Sequence, residues 1–410
     1  MAIISAFRAL RPAKELASHV ASVPYDVLNS AEARVAVGNN PYSFLHITKA
    51  EIDLPEGTDV HSEKVYHKAA DNLLIFQDNK ILMRDEKPSF YIYELTMGGR
   101  EQTGLVCVSA VADYENNIIK KHELTRPDKE LDRINHMRIT GAQTGNVFLA
   151  YKTNVSLSLL INRWKDANET VYDFVADDGI GHRVWVVHDP QTITEITQIF
   201  HKQIPCTYIA DGHHRAASAA KVKNALGKEA TPDAEYFLTT LFPSDELRIL
   251  DYNRVVKDLN GLDTKRFLEK LNTRFRVNKM DAAYSPDRLH NFGMYLENNW
   301  YRLEAKGNSF PDDPIGILDV SILQENILSP ILNIQDQRTD IRIDFVGGIR
   351  GLQELEKRVD SGQMKLAFSL YPVSMDQLFD IADSGQIMPP KSTWFEPKLR
   401  DGLLTHTLTP

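Results

Sequence analysis

The chain has 410 residues, 42% hydrophobic and 25% charged, which is typical of a soluble globular protein with more than one domain. Its net charge of -9 argues against a general nucleic-acid binder, because such proteins need a basic surface. Cys107 and Cys206 lie in apolar runs and form neither a disulfide framework nor a metal motif, as expected in a reducing cytoplasm. Arg8 and Arg11 interrupt the first apolar stretch, so neither a signal peptide nor a membrane span is predicted.

The first predicted elements are a strand end in "FRALRP", a short helix, and then a loop containing "PYDV". A longer helix is predicted at "SEKVYHKAADNLLIFQD", because Val65, Ala69, Leu73 and Phe76 recur at helical spacing. Two β-rich runs joined by "MGGR" follow, and this turn chemistry predicts a hairpin.

The middle of the chain begins with a polar loop, "KKHELTR", and a helix opened by Pro127. That helix is predicted to carry Leu131, Ile134 and Met137 on one side. Strands are predicted at "NVFLAY", "TVYDFV", "HRVWVVHD", "TYIA" and "AEYFLTTLFPS", with helices at "LSLLINRWKDA", after Asp189, and at "AASAAK".

Mixed strands and helices continue to a proline-rich tail, without the regular βαβ rhythm of a doubly wound sheet. The predicted fold class is therefore α+β, or mixed α/β. We expect a catalytic region over residues 1–255 and a C-terminal α/β region over residues 256–410, although no linker marks the boundary.

The segment "TYIADGHHR" has the features of a ligand site at a strand-to-helix turn. A helix N-terminus directs N–H groups outward and binds anions, and Gly212 permits a positive φ and close approach. Arg215 offers a planar fork for phosphate, and His213 and His214 can donate or exchange protons. Asp211 can accept a proton or hold Mg²⁺, although it can also simply cap the helix and pair with Arg215.

Two further segments are polar enough to take part in a ligand site. "KKHELTRPDKELDR" lacks the second histidine of a zinc-protease motif, and on spacing alone a solvated, charge-paired helix start explains it equally well. "MPPKSTWFEPKL" lacks the glycines of a phosphate loop, yet Lys391, Ser392 and Thr393 can contact an anion after two rigid prolines. The sequence has no dinucleotide fingerprint and no nucleophile elbow.

Taken together, these segments resemble the DUF1015 family, a family without an assigned function. The resemblance runs from "FRALRP" and "VPYDV" through "HELT" and "YIADGHHRAASAA" to "MPPKSTWFEPKLRDGL". One departure is Asn253, which stands before Arg254 where a His-Arg pair is usual.

The "DGHHR" turn also resembles the phosphate-binding turn of the ParB/sulfiredoxin-like fold. No thiol occupies the position of the sulfiredoxin nucleophile, which excludes that chemistry. The turn is most similar in character to that of archaeal free-serine kinases, in which a glutamate is the base. The resemblance implies a ParB/sulfiredoxin-like core, a nucleotide, Mg²⁺ and a small acceptor.

From this resemblance we predict a cytoplasmic phosphotransferase that phosphorylates free L-serine, or runs in reverse from O-phosphoserine, with ATP or ADP and Mg²⁺. A ParB-like nucleotide-binding regulator and a metabolite phosphatase remain alternatives. The predicted partners are a small-molecule substrate and a nucleotide rather than a membrane or nucleic acid, and a homo-oligomer is left open.

The predicted site residues fall into four groups. The catalytic residues are Glu123, Asp211 and His214. The phosphate- or nucleotide-binding residues are Gly212, His213, Arg215, Lys129, Arg133, Lys391, Ser392 and Thr393. The substrate residues are His122, Thr125, Arg8 and Asp26, and Asp211 is also the predicted metal ligand. This assignment requires the "PPKST" segment to return to the cleft that contains "DGHHR".

Overall fold

The computed structural model describes residues 1–408 and has a mixed α/β fold, as predicted. The chain forms two compact units. The first comprises Met1–Leu247 together with the chain from Pro397 onward, and the second comprises Arg248–Glu396. The boundary predicted after residue 255 falls inside a strand of the second unit, Tyr252–Val256.

The strands of the described chain are short to medium in length. They are β1 Ile4–Ser5, β2 Leu10–Pro12, β3 Leu82–Arg84, β4 Phe90–Met97, β5 Arg100–Ala110, β6 Ile119–Lys120, β7 Ala142–Gln143, β8 Val147–Tyr151, β9 Tyr172–Val175, β10 Gly181–Val187, β11 Thr207–Asp211, β12 Tyr236–Pro243, β13 Ile249–Leu250, β14 Tyr252–Val256, β15 Phe275–Met280, β16 Asn291–Leu296, β17 Asn299–Ala305, β18 Ile343–Gly347, β19 Leu366–Leu370, β20 Trp394–Phe395 and β21 His406–Thr407.

The helices range from single turns to four turns. They are α1 Ala17–Val20, α2 Ser30–Val37, α3 Leu45–Thr48, α4 Glu63–Asp78, α5 Val111–Glu115, α6 Pro127–Thr140, α7 Val155–Ala167, α8 Pro190–Gln203, α9 His213–Leu226, α10 Thr264–Leu271, α11 Asp319–Leu323, α12 Gly351–Asp360 and α13 Met375–Asp383. None of the helices within residues 1–408 is long and apolar enough to cross a membrane.

A large mixed sheet forms the centre of the first unit, with strand order β6-β11-β8-β12-β5-β4-β10-β9 and β1 paired to β5. Strand β11 runs parallel to β6 and antiparallel to β8, and β12 runs parallel to β8. Apolar residues of these strands form the main core with helices that include α9, whose Ala216, Ala219, Ala220 and Val222 are buried. The sheet therefore fixes the end of β11 and the start of α9.

Two local predictions agree with the structure. The "MGGR" segment turns β4 into β5, and both Gly98 and Gly99 have positive φ, as a tight hairpin requires. In α4, the predicted face of Val65, Ala69, Leu73 and Phe76 is buried. These elements follow from local pattern because their apolar spacing matches one regular geometry.

Helix α6 begins at Pro127, as predicted, but its buried face differs from the predicted one. Leu131 is 58% exposed, whereas Glu130, Asp132 and His136 are buried with Met137. Glu130 accepts bonds from Thr125 and Lys221, and Asp132 accepts bonds from Tyr66 and Arg133, so their charge is satisfied inside. The prediction for Leu131 was wrong because tertiary ion pairs outweighed the apolar spacing.

The second unit contains an antiparallel sheet with strand order β15-β17-β16-β19-β14-β18. Helix α12 packs on this sheet through Leu355, which is buried beside Val255, Val346 and Ala367. The buried strand β14 thus belongs to this sheet by pairing with β18 and β19.

Candidate functional site

The turn after β11 leaves a helix N-terminus without a side-chain cap. Gly212 is the N-cap of α9, has φ 98°, and provides no side chain to accept from the first N–H groups of the helix. A Cβ on Gly212 would lie 3.2 Å from Arg215 Nε and 3.4 Å from the Val147 Cα. Only glycine fits this turn without strain, and the N–H groups it leaves uncapped are suited to an anion.

Arg215 is a fixed cation beneath this turn. The side chain is 9% exposed, and its guanidinium donates to the Asn146 carbonyl. One terminal nitrogen lies 3.7 Å from Asp211 Oδ2 and 3.9 Å from Asp26 Oδ2. Burial lowers the pKa of Arg215, but Asp26 and Asp211 outweigh that effect and raise it above its ordinary value. The guanidinium is therefore charged at every physiological pH.

Asp211 is held by two cations. Lys398 Nζ lies 3.2 Å from Asp211 Oδ2, and a terminal nitrogen of Arg215 lies 3.7 Å from the same oxygen. Burial raises the pKa of Asp211, but Lys398 and Arg215 together bring it below its ordinary range. A carboxylate with so low a pKa is a weak proton acceptor.

The same pairing bears on the predicted Mg²⁺. Magnesium prefers one or two carboxylates that face phosphate oxygens, whereas Asp211 faces Lys398 and Arg215. Within residues 1–408, no group of three or more His, Cys, Asp or Glu side chains is arranged to hold a metal ion. The residues present do not fit a magnesium site built by the protein, and we derive no step through one.

His213 and His122 form a buried pair next to Glu123. The two rings meet edge to face with their centroids 4.6 Å apart. Both residues are buried, with His122 2% exposed and His213 4% exposed. His213 Nδ1 lies 3.7 Å from Glu123 Oε2, and the Glu123 side chain is 44% exposed. Burial lowers the pKa of His122 to about 4 and places that of His213 well below its usual value. Both imidazoles are therefore neutral at pH 7, and Glu123 is the accessible carboxylate of this group.

His214 is hydrogen-bonded to the loop before α6, and Thr125 of that loop is hydrogen-bonded to α6 itself. His214 Nε2 accepts the Arg126 N–H at 3.0 Å, which places the proton of the neutral ring on Nδ1. Thr125 donates to Glu130, and Lys129 is exposed at the start of α6. Burial lowers the pKa of His214. The "HELT" loop is thus brought to the turn.

A second group of side chains adjoins Arg215 at the mouth of a small cavity. Arg133 stacks over the Tyr25 ring, with Cζ 3.8 Å from the centroid, and its Nε donates to Asp132 at 2.9 Å. The cavity is lined by Tyr25, Arg133, His136, Met137, Ala142, Gln143, Thr144, Gly145, Val147, Arg215, Ala219, Phe237 and Leu238. Two guanidinium groups therefore belong to the lining of a mainly apolar space.

Four predicted site residues have other contacts. Arg8 is beside Arg84, whose pKa is lowered by burial and by the charge of Arg8. Lys391, Ser392 and Thr393 belong to the second unit, where Lys391 Nζ lies 5.8 Å from the centroid of the Tyr252 ring. The Ser392 hydroxyl donates to the Pro389 carbonyl. A role for these four residues at the turn stays a prediction.

The sequence did not single out Tyr25, Lys398 or Asp401. Asp401 is 1% exposed, and among the described residues no side chain donates a hydrogen bond to either of its carboxylate oxygens. It pairs with Ser22 through the backbone, which positions it near the "PYDV" loop. Their only signals in the sequence were the segments "PYDV" for Tyr25 and "KLRDGL" for Lys398 and Asp401, in which nothing local distinguishes them from an ordinary loop.

The buried Asp401 predicts a measurable pH effect on stability. Burial raises its pKa to about 7, against about 3.9 in an unfolded chain. Between those values the folded chain keeps a proton that the unfolded chain releases, so this contribution to stability falls as pH rises toward 7. The unfolding free energy of Asp401→Asn minus that of the wild type should rise by about 2 kcal/mol between pH 5 and pH 8.

The variant is compared with the wild type because buried histidines change the free energy of unfolding with pH in the direction opposite to Asp401. The pKa values of His122, His136, His182 and His213 are lowered, and each contributes stability that increases with pH. Calorimetry at the two pH values measures the difference, with the exposed Asp71→Asn as control. A difference that does not change with pH would show that Asp401 is ionised at both values.

The structure thus defines a mixed α/β protein with a polar cluster around a strand–glycine–helix turn. The chain belongs to the family described as protein of unknown function (DUF1015), whose sequence model matches residues 4–321, as the sequence resemblance predicted. Comparison with curated proteins finds no match.

Several solved structures are distantly similar to this chain. A free serine kinase in complex with AMP is 12% identical, with a TM-score of 0.38, and the match covers 73% of this chain and 91% of that one. A conserved hypothetical protein from Pyrococcus furiosus is 13% identical, with a TM-score of 0.37 and coverage of 73% and 94%. SbnI with a C-terminal truncation, from Staphylococcus aureus, is 11% identical, with a TM-score of 0.33 and coverage of 72% and 85%.

Proposed function

We propose that the first unit is a phosphotransferase that moves a phosphoryl group between ATP or ADP and the hydroxyl group of a small molecule. Free L-serine is the proposed acceptor, and O-phosphoserine the donor in reverse. The observation that carries the proposal is the buried, permanently charged Arg215 directly behind the uncapped N-terminus of α9. This combination neutralises phosphate oxygens with both a fixed charge and aligned N–H groups.

Phosphoryl transfer needs mainly charge neutralisation and positioning. Arg215, Arg133 and Lys398 supply three cations, and the carboxylates around Arg215 keep its fork in place. Because Arg215 is held by the sheet through Asn146, little reorganisation is needed when a phosphate arrives. In this proposal the phosphates lie along the turn from Gly212 to Arg215.

The acceptor hydroxyl also needs a proton acceptor. Among the three predicted catalytic residues, Asp211 is paired with Lys398, and His214 already uses its Nε2 lone pair on Arg126. Glu123 is partly exposed and contacts the neutral His213, which can hold its carboxylate in one orientation. This supports Glu123 as the base, with His213 and His122 as positioning residues.

The proposal is tested with ATP or ADP, Mg²⁺ and L-serine, followed by phosphorus NMR and by calorimetric titration of each nucleotide. We expect nucleotide binding and the appearance of O-phosphoserine. Phosphate release from O-phosphoserine without nucleotide would favour a phosphatase instead. Nucleotide binding with no transfer to serine or water, together with DNA binding, would favour a ParB-like regulator.

Gly212→Ala should impair anion binding at the turn. The new Cβ would meet the Arg215 guanidinium at 3.2–3.3 Å in a backbone conformation that disfavours alanine, so the fork must shift. We expect affinity for ADP to fall by about tenfold or more, a loss of about 1.4 kcal/mol. Calorimetric titration measures the change.

The matched control is Gly227→Ala at the other end of α9. Gly227 also has a positive φ, but a Cβ there would meet nothing within 4 Å. Both variants carry backbone strain, whereas only Gly212→Ala should lose ADP affinity. If the two variants bind ADP with equal affinity, the anion does not bind at the turn.

A further inference from the structure

Asp401 is the buried charged group that the proposed mechanism leaves without a role. Its carboxylate lies 3.5 and 3.7 Å from the position that a Cβ on Gly145 would take, and the Arg215 stem lies 3.2 Å from the same position. No ion pair within 4.0 Å joins Asp401 to Arg215 among residues 1–408, and no side chain there donates a hydrogen bond to either carboxylate oxygen, whereas the backbone of Tyr25 is close enough to lower the pKa of the group. A buried carboxylate without a side-chain donor is costly, so a donor supplied by a ligand would stabilise it.

The carboxylate lies beside the lining of the cavity between α6 and α9. Gly145, Arg215 and Tyr25 line that cavity, and all three are also neighbours of Asp401. Because Gly145 has no side chain, none stands between its backbone and the Asp401 carboxylate. The opposite charge in the same lining is supplied by Arg133 and Arg215.

We propose that this part of the cavity binds the zwitterionic head of a small amino acid, with Arg133 facing its carboxylate and Asp401 accepting its ammonium group. The assignment rests on the proposed function and extends it, because it adds the group that selects an amino acid over other hydroxyl compounds. Guanidinium groups match carboxylate geometry, and a buried carboxylate matches an ammonium with three donors.

The size of the space agrees with a small head group. The cavity has about 30 Å³ of room for the centres of water-sized groups, which admits one or two such groups. An ammonium or a hydroxymethyl group has that size, whereas an aromatic ring does not. The apolar side chains of the lining, such as Met137 and Phe237, give no polar partner to a larger substrate.

The charges around Asp401 give the site a pH dependence. Burial raises the pKa of Asp401 to about 7, and the charge of Asp26 acts in the same direction. The charges of Arg215 and Arg133 and a hydrogen bond from the Tyr25 backbone act in the opposite direction. An ammonium pairs with the ionised carboxylate, so below pH 7 binding must also remove the proton. Affinity for the amino acid should therefore fall by up to tenfold for each pH unit below about 7.

The test pairs a protein change with a ligand change. Calorimetric titrations at pH 8 compare L-serine with 3-hydroxypropionate, which lacks only the ammonium group, in the full-length wild type and in Asp401→Asn. We expect the variant to bind L-serine at least tenfold more weakly and 3-hydroxypropionate within about twofold of the wild type. Asp71→Asn, exposed on α4, is the control and should bind both ligands like the wild type.

A second arm repeats the L-serine titration at pH 6, where the affinity of the wild type should drop and that of Asp401→Asn should not. Equal L-serine affinities in wild type and variant, or equal losses for the two ligands, would overturn the assignment. So would a wild type that binds no L-serine. Titration with ADP separates the amino-acid site from the proposed function. If ADP does not bind while the protein still distinguishes L-serine from 3-hydroxypropionate, the phosphotransferase is refuted and the amino-acid site is retained.

Discussion

Replacing Arg215 with alanine should reduce the affinity of the protein for ADP and ATP by about 10²- to 10³-fold, or about 3–4 kcal/mol. The guanidinium is buried, permanently charged and fixed by the Asn146 carbonyl, so it can offer two charge-assisted bonds to one phosphate. Its loss would also remove the cation beside Asp26 and leave Asp211 with Lys398 alone. Calorimetric titration with each nucleotide measures the change.

Arg215→Lys distinguishes charge from geometry. Lysine keeps the positive charge but loses the planar fork. We therefore expect Arg215→Lys to lose more than tenfold in nucleotide affinity, but less than Arg215→Ala loses. Arg138→Ala, exposed on the same unit, is the matched control. If Arg215→Ala binds nucleotide like Arg138→Ala while both variants remain folded by circular dichroism, the phosphates do not lie at this turn.

Replacing Glu123 with glutamine should lower the turnover of L-serine by about 10²-fold or more while nucleotide affinity stays close to that of the wild type. The amide keeps the shape and the contact with His213 but cannot accept the hydroxyl proton. The half-exposed side chain makes a folding defect unexpected. Phosphorus NMR gives the rate, and calorimetry gives the affinity.

The control for this change is Glu229→Gln, an exposed glutamate of the same unit. Unchanged turnover in Glu123→Gln would move the base to another group. Asp211 and His214, the other two predicted catalytic residues, would then be the candidates to examine. A parallel fall in nucleotide affinity would instead show that Glu123 acts in binding.

Local patterns predicted much of the first unit. The spacing of apolar residues in α4, the two glycines between β4 and β5, and Pro127 at the start of α6 each specify a geometry through a few neighbouring residues. The same holds for the turn, where an apolar strand, Gly212 and an alanine-rich helix follow one another directly. Such features are readable because their energetics are local.

The buried face of α6 was not readable in this way. Its Glu130 and Asp132 are inside because Lys221, from α9, and Tyr66, from α4, reach them across the fold. Burial of a carboxylate depends on partners that are distant in the chain, and sequence spacing carries no information about such partners. Leu131 points outward as a consequence.

The division of the chain has a similar origin. Strand β14 pairs with β18 and β19, which lie roughly a hundred residues later, and this pairing places residues 252–256 in the second unit. The chain from Pro397 joins the first unit through contacts such as Lys398 with Asp211 and Asp401 with Ser22. No linker composition marks either point.

The sequence by itself determined the chemistry of the turn: a strand, a glycine at positive φ, two histidines and an arginine at a helix N-terminus. Only the tertiary structure decided what surrounds it, since Lys398 and Asp401 come from the end of the chain and Tyr25 from its beginning. A turn is specified by the conformational preferences of adjacent residues. The charge balance of a buried site is specified by side chains that long-range packing of the sheet and helices brings together.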